Sequence, residues 1–88
     1  MAKLVLSFNG EPLREFDLNQ ETMTIGRKAD NDIQIDNLAV SAKHAKILTI
    51  LDDSFIEDLE STNGTFINGE KINKHALRNG EVIAIGKH

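Results

Sequence analysis

Four Asn-Gly pairs, at 9–10, 63–64, 68–69 and 79–80, punctuate a chain of 88 residues. Both residues tolerate positive φ, which tight two-residue hairpins require, so each pair marks a place where the chain can reverse. Between these and other turn signals lie short apolar runs: Leu4–Phe8, Arg14–Leu18, Met23–Ile25, Ile33–Ile35, Ala45–Leu51, Phe55–Leu59, Thr65–Ile67 and Val82–Ile85. Several alternate with period two, as in Leu4, Leu6 and Phe8, in Phe16 and Leu18, and in Ile33 and Ile35. That is the period of a strand with one buried face. Asp52-Asp53-Ser54 separates two further runs as a hairpin. No long stretch carries a 3.6 period with caps. Many short strands at close spacing predict an all-β fold, a sandwich or a barrel, whose loops cluster at its ends.

The chain is short enough to form a single domain over 1–88, with a modest core. Its net charge is −4, and both halves carry five basic and seven acidic side chains. Sequence-independent nucleic-acid binding needs a basic face that neutralises several phosphates, and none is apparent. Four Phe without Trp or Tyr offer few stacking platforms. The absence of cysteine removes disulfides, thiolate metal sites and thiol nucleophiles, and fits a reducing compartment. The opening residues do not form a signal peptide, and no run approaches a membrane span. The expectation is a cytoplasmic domain with no membrane and no nucleic-acid partner.

Three loops hold the unusual residues. The first reads Gly26-Arg27-Lys28-Ala29-Asp30-Asn31-Asp32, the second Val40-Ser41-Ala42-Lys43-His44, and the third Glu60-Ser61-Thr62-Asn63-Gly64-Thr65. Arg27 offers a planar fork of donors suited to phosphate oxygens. Ser41 and Thr62 add hydroxyls, Lys43 a flexible charge, and Asn63 both a donor and an acceptor for a peptide backbone. Gly26 lets another backbone come close. Taken singly, Arg27 and Lys43 are equally well read as solvated charges, and the hydroxyls as turn caps.

Taken in order, the motifs are more specific. Gly26-Arg27, Ser41-x-x-His44, Ser61-Thr62-Asn63-Gly64-Thr65, Asn68-Gly69 and Gly80-Glu81-x-Ile83-x-Ile85-Gly86 resemble the forkhead-associated (FHA) domain. The resemblance runs from about Thr24 to Gly86. It implies an antiparallel β-sandwich of about ten to eleven short strands with the binding loops at one end, recognising phosphothreonine segments. By this resemblance Arg27 contacts the phosphate, Ser41 donates to it, Thr62 lies beside the phosphothreonine, and Asn63 bonds the bound peptide's main chain. Gly26, His44 and Gly64 support the loops, His44 by pinning the Ser41 loop, and Asn68-Gly69 makes a hairpin. Where relatives carry a basic residue directly after the serine, this chain has Ala42, and the cation follows at Lys43. Relatives also add a strand beyond the position of His88, so an open sheet edge and strand exchange or weak dimerisation are expected alongside a monomer.

The function expected is therefore a phosphothreonine-dependent binding module, not an enzyme, with no cofactor and no metal. Two rivals stand beside it. One is a degenerate member of the family that binds an unphosphorylated partner through another face; Ala42 leaves it open, while the presence of Arg27, Ser41, Thr62 and Asn63 argues against it. The other is a hydrolase using Ser41 and His44, but no Gly-x-Ser-x-Gly elbow surrounds Ser41 and no acid is placed to orient His44. His44, His75 and His88 are too widely spaced for a metal site. Asp30, Asp32 and Asp36 lack the glycine and glutamate of a calcium loop and read as turn formers. The 80–87 segment fails as a phosphate loop because its middle reads as a strand.

Overall fold

The structure, a computed structural model, describes residues 2–88. They form ten strands and no helix: β1 Lys3–Phe8, β2 Glu11–Asp17, β3 Thr22–Gly26, β4 Ile33–Gln34, β5 Ala45–Ile50, β6 Asp53–Asp58, β7 Thr65–Ile67, β8 Glu70–Ile72, β9 Lys74–Ala76 and β10 Ile83–Ala84. One layer is a five-stranded sheet in the order β4-β3-β5-β6-β9. The other consists of the β1-β2 hairpin and the three-stranded sheet β10-β7-β8. Pairing is antiparallel throughout except between β3 and β4, which run parallel and align Ile25 with Ile33. The wholly antiparallel sandwich expected from sequence is thus mixed at one edge, because the 27–32 loop crosses over instead of turning back.

The core follows from the alternation. Register places Met23, Ile47 and Ile56 side by side across β3, β5 and β6, and all three are buried. Ile25 and Ile33 join them from the same sheet, while Ile67 and Ile85 close the core from the other layer. Leu4, Leu6 and Phe16 pack against it and Leu18 belongs to it, as the period-two reading of β1 and β2 expects, but Phe8, beyond the register shift between Leu6 and Ser7, is not part of this packing.

Two of the four Asn-Gly pairs make the hairpins expected of them. Asn9-Gly10 joins β1 to β2 and Asn68-Gly69 joins β7 to β8, with φ of 52° and 82°, and of 53° and 81°. Both residues of each pair are left-handed, which matches the twist of the flanking strands. In the other two pairs only the glycine has positive φ, and both lie in longer loops. The β5–β6 turn falls at Leu51-Asp52, one residue ahead of the expected Asp52-Asp53-Ser54, with Leu51 at φ 56° and almost fully exposed.

The antiparallel order of β3, β5 and β6 positions the site. β3 ends, β5 begins and β6 ends at the same end of the sheet, so all three motif loops emerge together. On the other layer, β1 and β10 each pair on one edge only among the described residues. A groove of about 390 Å³ runs between them, floored by Ile25, Ile33 and Ile35 and flanked by exposed Val5 and Val82. No helix of the described residues is long and apolar enough to cross a membrane.

Candidate functional site

Gly26 is the point where the first two loops meet. A Cβ there would sit on the Ala42 carbonyl oxygen and 2.7 Å from Asn31 Nδ2, so only glycine fits. Asn31, buried, fills the remaining gap: its Nδ2 donates to the carbonyls of Lys28 and Ala42, each at 2.8 Å. This strut ties the first loop to the second. Asp32 steadies the same loop from its other side by accepting the Thr24 N–H at 2.9 Å. Arg27 follows, half-buried, with its N–H donating to the Ser41 carbonyl at 2.9 Å and its carbonyl accepting from Gln34 Nε2 at 3.1 Å. The backbone of Arg27 is therefore pinned on both sides. Its guanidinium forms no ion pair among the described residues.

The second and third loops are joined through Ser41 and His44. Ser41 Oγ accepts the Thr62 N–H at 3.0 Å. Because the oxygen is the acceptor there, the hydroxyl proton stays free to donate elsewhere. The fully buried His44 ring takes the Ser41 main-chain N–H on Nδ1 at 3.1 Å, and its Nε2 lies 3.0 Å from the Gly64 carbonyl. An accepting Nδ1 requires the proton on Nε2, which then donates to Gly64. Both ring nitrogens are occupied by backbone, so neither can take a proton from the Ser41 hydroxyl. The hydrolase arrangement of Ser41 and His44 is not assembled.

The third loop is built on Asp58. Its Oδ1 accepts the hydroxyls of Ser61 at 2.6 Å and Thr65 at 2.7 Å, and its Oδ2 accepts the Ser61 N–H at 3.1 Å. Ser61 Oγ in turn accepts the Gly64 N–H at 3.0 Å. Burial works against the Asp58 charge, but the hydroxyls of Ser61 and Thr65 outweigh it and hold the carboxyl below its ordinary value. Gly64 has φ 88°, a conformation open to glycine, and presents its carbonyl to His44. Thr62 and Asn63 are exposed at the loop tip, and Asn63 Nδ2 donates to the Ala39 carbonyl at 2.9 Å. One amide hydrogen and the Oδ1 of Asn63 are left over for a ligand.

Arg27, Ser41, Thr62 and Asn63 are thus brought to one end by direct bonds between their loops. Lys43 is held differently: its Nζ pairs with Asp30 at 3.3 Å, and both side chains are largely exposed. Asp32 acts within its loop, as its reading as a turn former has it, whereas sequence reasoning assigned no role to Asn31 or to Asp58. The Asp58-x-x-Ser61 spacing, which favours a side-chain-to-backbone turn, was the available signal for Asp58. Among the described residues no group of three His, Asp or Glu is arranged to hold a metal ion.

Comparison with known proteins gives the family. The FHA domain family matches residues 23–86. An oxoglutarate dehydrogenase inhibitor of Corynebacterium jeikeium is 43% identical over 72 residues, covering 82% of this chain and 50% of that protein. The chain spans about half the length of the curated relatives it matches. Mycobacterium tuberculosis EmbR, solved in complex with a low-affinity phosphopeptide, is 37% identical with a TM-score of 0.82, over 85% of this chain and 20% of that one. A domain solved in a study of phosphothreonine-dependent FHA interactions is 30% identical with a TM-score of 0.83, over 90% of this chain and 81% of that one. With a family match over residues 23–86, which hold all three loops and the strands from β3 onward, this chain belongs to the FHA domain family.

Proposed function

We propose that this domain is a non-catalytic module that binds an extended segment of another protein through a phosphothreonine. One observation carries the reading: the bonds Arg27 N–H to Ser41 carbonyl and Thr62 N–H to Ser41 Oγ gather Arg27, Ser41 and Thr62 on one rigid frame. A phosphothreonine carries a charge of about −1.5 to −2 at neutral pH. The Arg27 fork meets two of its oxygens, and the free Ser41 hydroxyl proton a third. Asn63 takes the peptide backbone with the amide atoms that Ala39 leaves over. Hydrogen bonds to charged groups contribute about 1.5–3 kcal/mol each, so phosphorylated and plain peptides should differ by several kcal/mol. Lys43 enters as a mobile charge. An exposed pair such as Lys43–Asp30 contributes at most about 1 kcal/mol, which a dianion nearby overcomes.

The frame matters as much as the donors. The loops are bonded to one another before any ligand arrives, so little ordering is left to offset affinity. The test is titration with matched peptides carrying phosphothreonine, phosphoserine or plain threonine, degenerate at the flanking positions and followed by amide shifts. Saturation by phosphothreonine peptides alone, with shifts at Arg27, Ser41, Thr62 and Asn63, is expected. An Arg27→Ala variant should then bind at least about 10-fold more weakly. Binding that ignores the phosphate would refute the reading.

A further inference from the structure

Only one face of the five-stranded sheet meets the core. Ile47 and Ile56 point inward, so by period two Lys46, Leu48 and Ile50 on β5, and Asp53, Phe55 and Glu57 on β6, lie on the outer face. Register sets them opposite one another: Lys46 with Glu57, Leu48 with Phe55, and Ile50 with Asp53. Leu48 and Phe55 are half-buried, yet neither packs against the core cluster, and Ile50 is 56% exposed. Beside them Lys46 and Glu57 form an ion pair at 3.5 Å. The face is thus an apolar row flanked on one side by a pair of opposite charges and on the other by an acid. No third layer covers it among the described residues.

Leu48, Phe55 and Ile50 side by side favour a covering layer, because burying them removes apolar surface from water. The charges decide which layer fits. Two identical sheets packed face to face are related by a two-fold axis in the plane between them. An axis along the strands, between β5 and β6, sets Leu48 of one copy over Phe55 of the other and Lys46 over Glu57, each twice. An axis across the strands, through the Leu48–Phe55 row, sets Glu57 over Asp53, like charge on like. We propose that this face pairs with a second copy of the chain about an axis along β5 and β6. The sheet offers roughly 24 Å across its strands and roughly 20 Å along β5, which suits a small, reversible interface. An axis along the strands keeps their direction, so the two ends bearing Arg27, Ser41, Thr62 and Asn63 lie side by side. The partner that fits such a pair carries two phosphothreonines on one segment. The choice of partner rests on the phosphothreonine reading, whereas the pairing does not.

The experiment uses a Val5→Lys, Val82→Lys background throughout, which keeps the open edges of the other layer from contributing. Lys46→Glu and Glu57→Lys are made in it singly, and thermal melts check that both variants fold. In a sedimentation dilution series the background protein should dimerise and each single variant should stay monomeric. An equal mixture of the two variants should associate again, since one copy then carries two acids and the other two bases at the facing positions. A mixture that stays monomeric, or single variants that dimerise like the background protein, would overturn the pairing and leave the phosphothreonine reading as it was. A peptide with two phosphothreonines on a flexible Gly-Ser linker should bind the background protein at least about 10-fold more tightly than a singly phosphorylated one. Lys46→Glu should lose that gain. Dimers that show no gain at any linker length would refute the axis along the strands. If no phosphothreonine peptide binds at all, the phosphothreonine reading falls, and the mixing experiment alone decides the pairing.

Discussion

Ser41 Oγ and the Thr62 backbone N–H, 21 residues apart in sequence, are hydrogen-bonded at 3.0 Å across the tips of two loops. The bond uses the hydroxyl oxygen as an acceptor and leaves its proton free, which is the proton proposed to meet a ligand oxygen. Ser41→Ala removes both roles at once. The expected outcome is a large shift of the Thr62 amide in the free domain and a loss of phosphothreonine affinity of about 10-fold or more. A variant that binds phosphopeptide as well as the parent would show that Ser41 only braces the loop.

The two ring nitrogens of His44 serve two loops. Replacing it with Phe keeps an aromatic ring in the buried site but leaves the Ser41 N–H and the Gly64 carbonyl without partners. An unsatisfied buried polar group costs about 1–3 kcal/mol, so His44→Phe should lower stability by roughly 2–6 kcal/mol in urea unfolding. A loss under about 1 kcal/mol would mean that water replaces the ring at both contacts.

Much of this was legible before the structure. Period-two alternation gave the strands of the core, and the ordered motifs gave the loops and their family. The misses have physical causes. β8 and β9 carry few apolar residues (Glu70-Lys71-Ile72 and Lys74-His75-Ala76) because they lie at sheet edges, where little of a strand is buried. Leu51 looked like the end of a strand because it is apolar, yet it forms the turn. Asn31 acts through a bond to distant Ala42, and no local pattern announces a polar side chain whose partner is set by tertiary folding, whereas Asp58 carried a local signal in its spacing to Ser61. The parallel run of β4 beside β3 is likewise a choice of crossover that two residues of strand cannot signal.

Leu51 itself is testable. A left-handed conformation costs a residue with a Cβ about 1–2 kcal/mol, and at 94% exposure this side chain has no packing to lose. Leu51→Gly should raise stability by up to about 1 kcal/mol, the gain being reduced by the greater freedom of glycine in the unfolded chain. Leu51→Ala relieves no backbone strain and should leave the urea midpoint near that of the parent.

The acid limb of stability should report on Asp58. Its folded value lies below the ordinary 3.8, so the unfolded chain holds the proton more tightly than the folded one. Its contribution is therefore fully present above the ordinary value and is lost as pH falls through the folded one. Glu81 is shifted in the same direction by the Arg78 N–H and His75, so the whole-protein profile contains both groups. The Asp58→Asn variant isolates one of them. The stability gap between parent and variant should be constant near neutral pH and should close on acidification past the ordinary carboxylate range. A gap that stays open in strong acid would show that the loop depends on the shape of the side chain and not on its charge.

Among the described residues β1 and β10 each keep one strand edge unpaired. β1 and β10 flank a groove whose floor is apolar and whose rims carry Val5, 54% exposed, and Val82, 71% exposed. Unpaired backbone donors and acceptors beside exposed apolar side chains are a template for pairing with another strand. The second copy most often present in a purified sample is the chain itself. Weak self-association is therefore expected as concentration rises in a sedimentation dilution series. Val5→Lys and Val82→Lys place charges on the two rims and should shift the equilibrium toward monomer while leaving phosphopeptide affinity unchanged, because the binding loops lie on other elements. A parent that stays monomeric over the whole series would show that the two edges, although open, are not shaped to pair with each other.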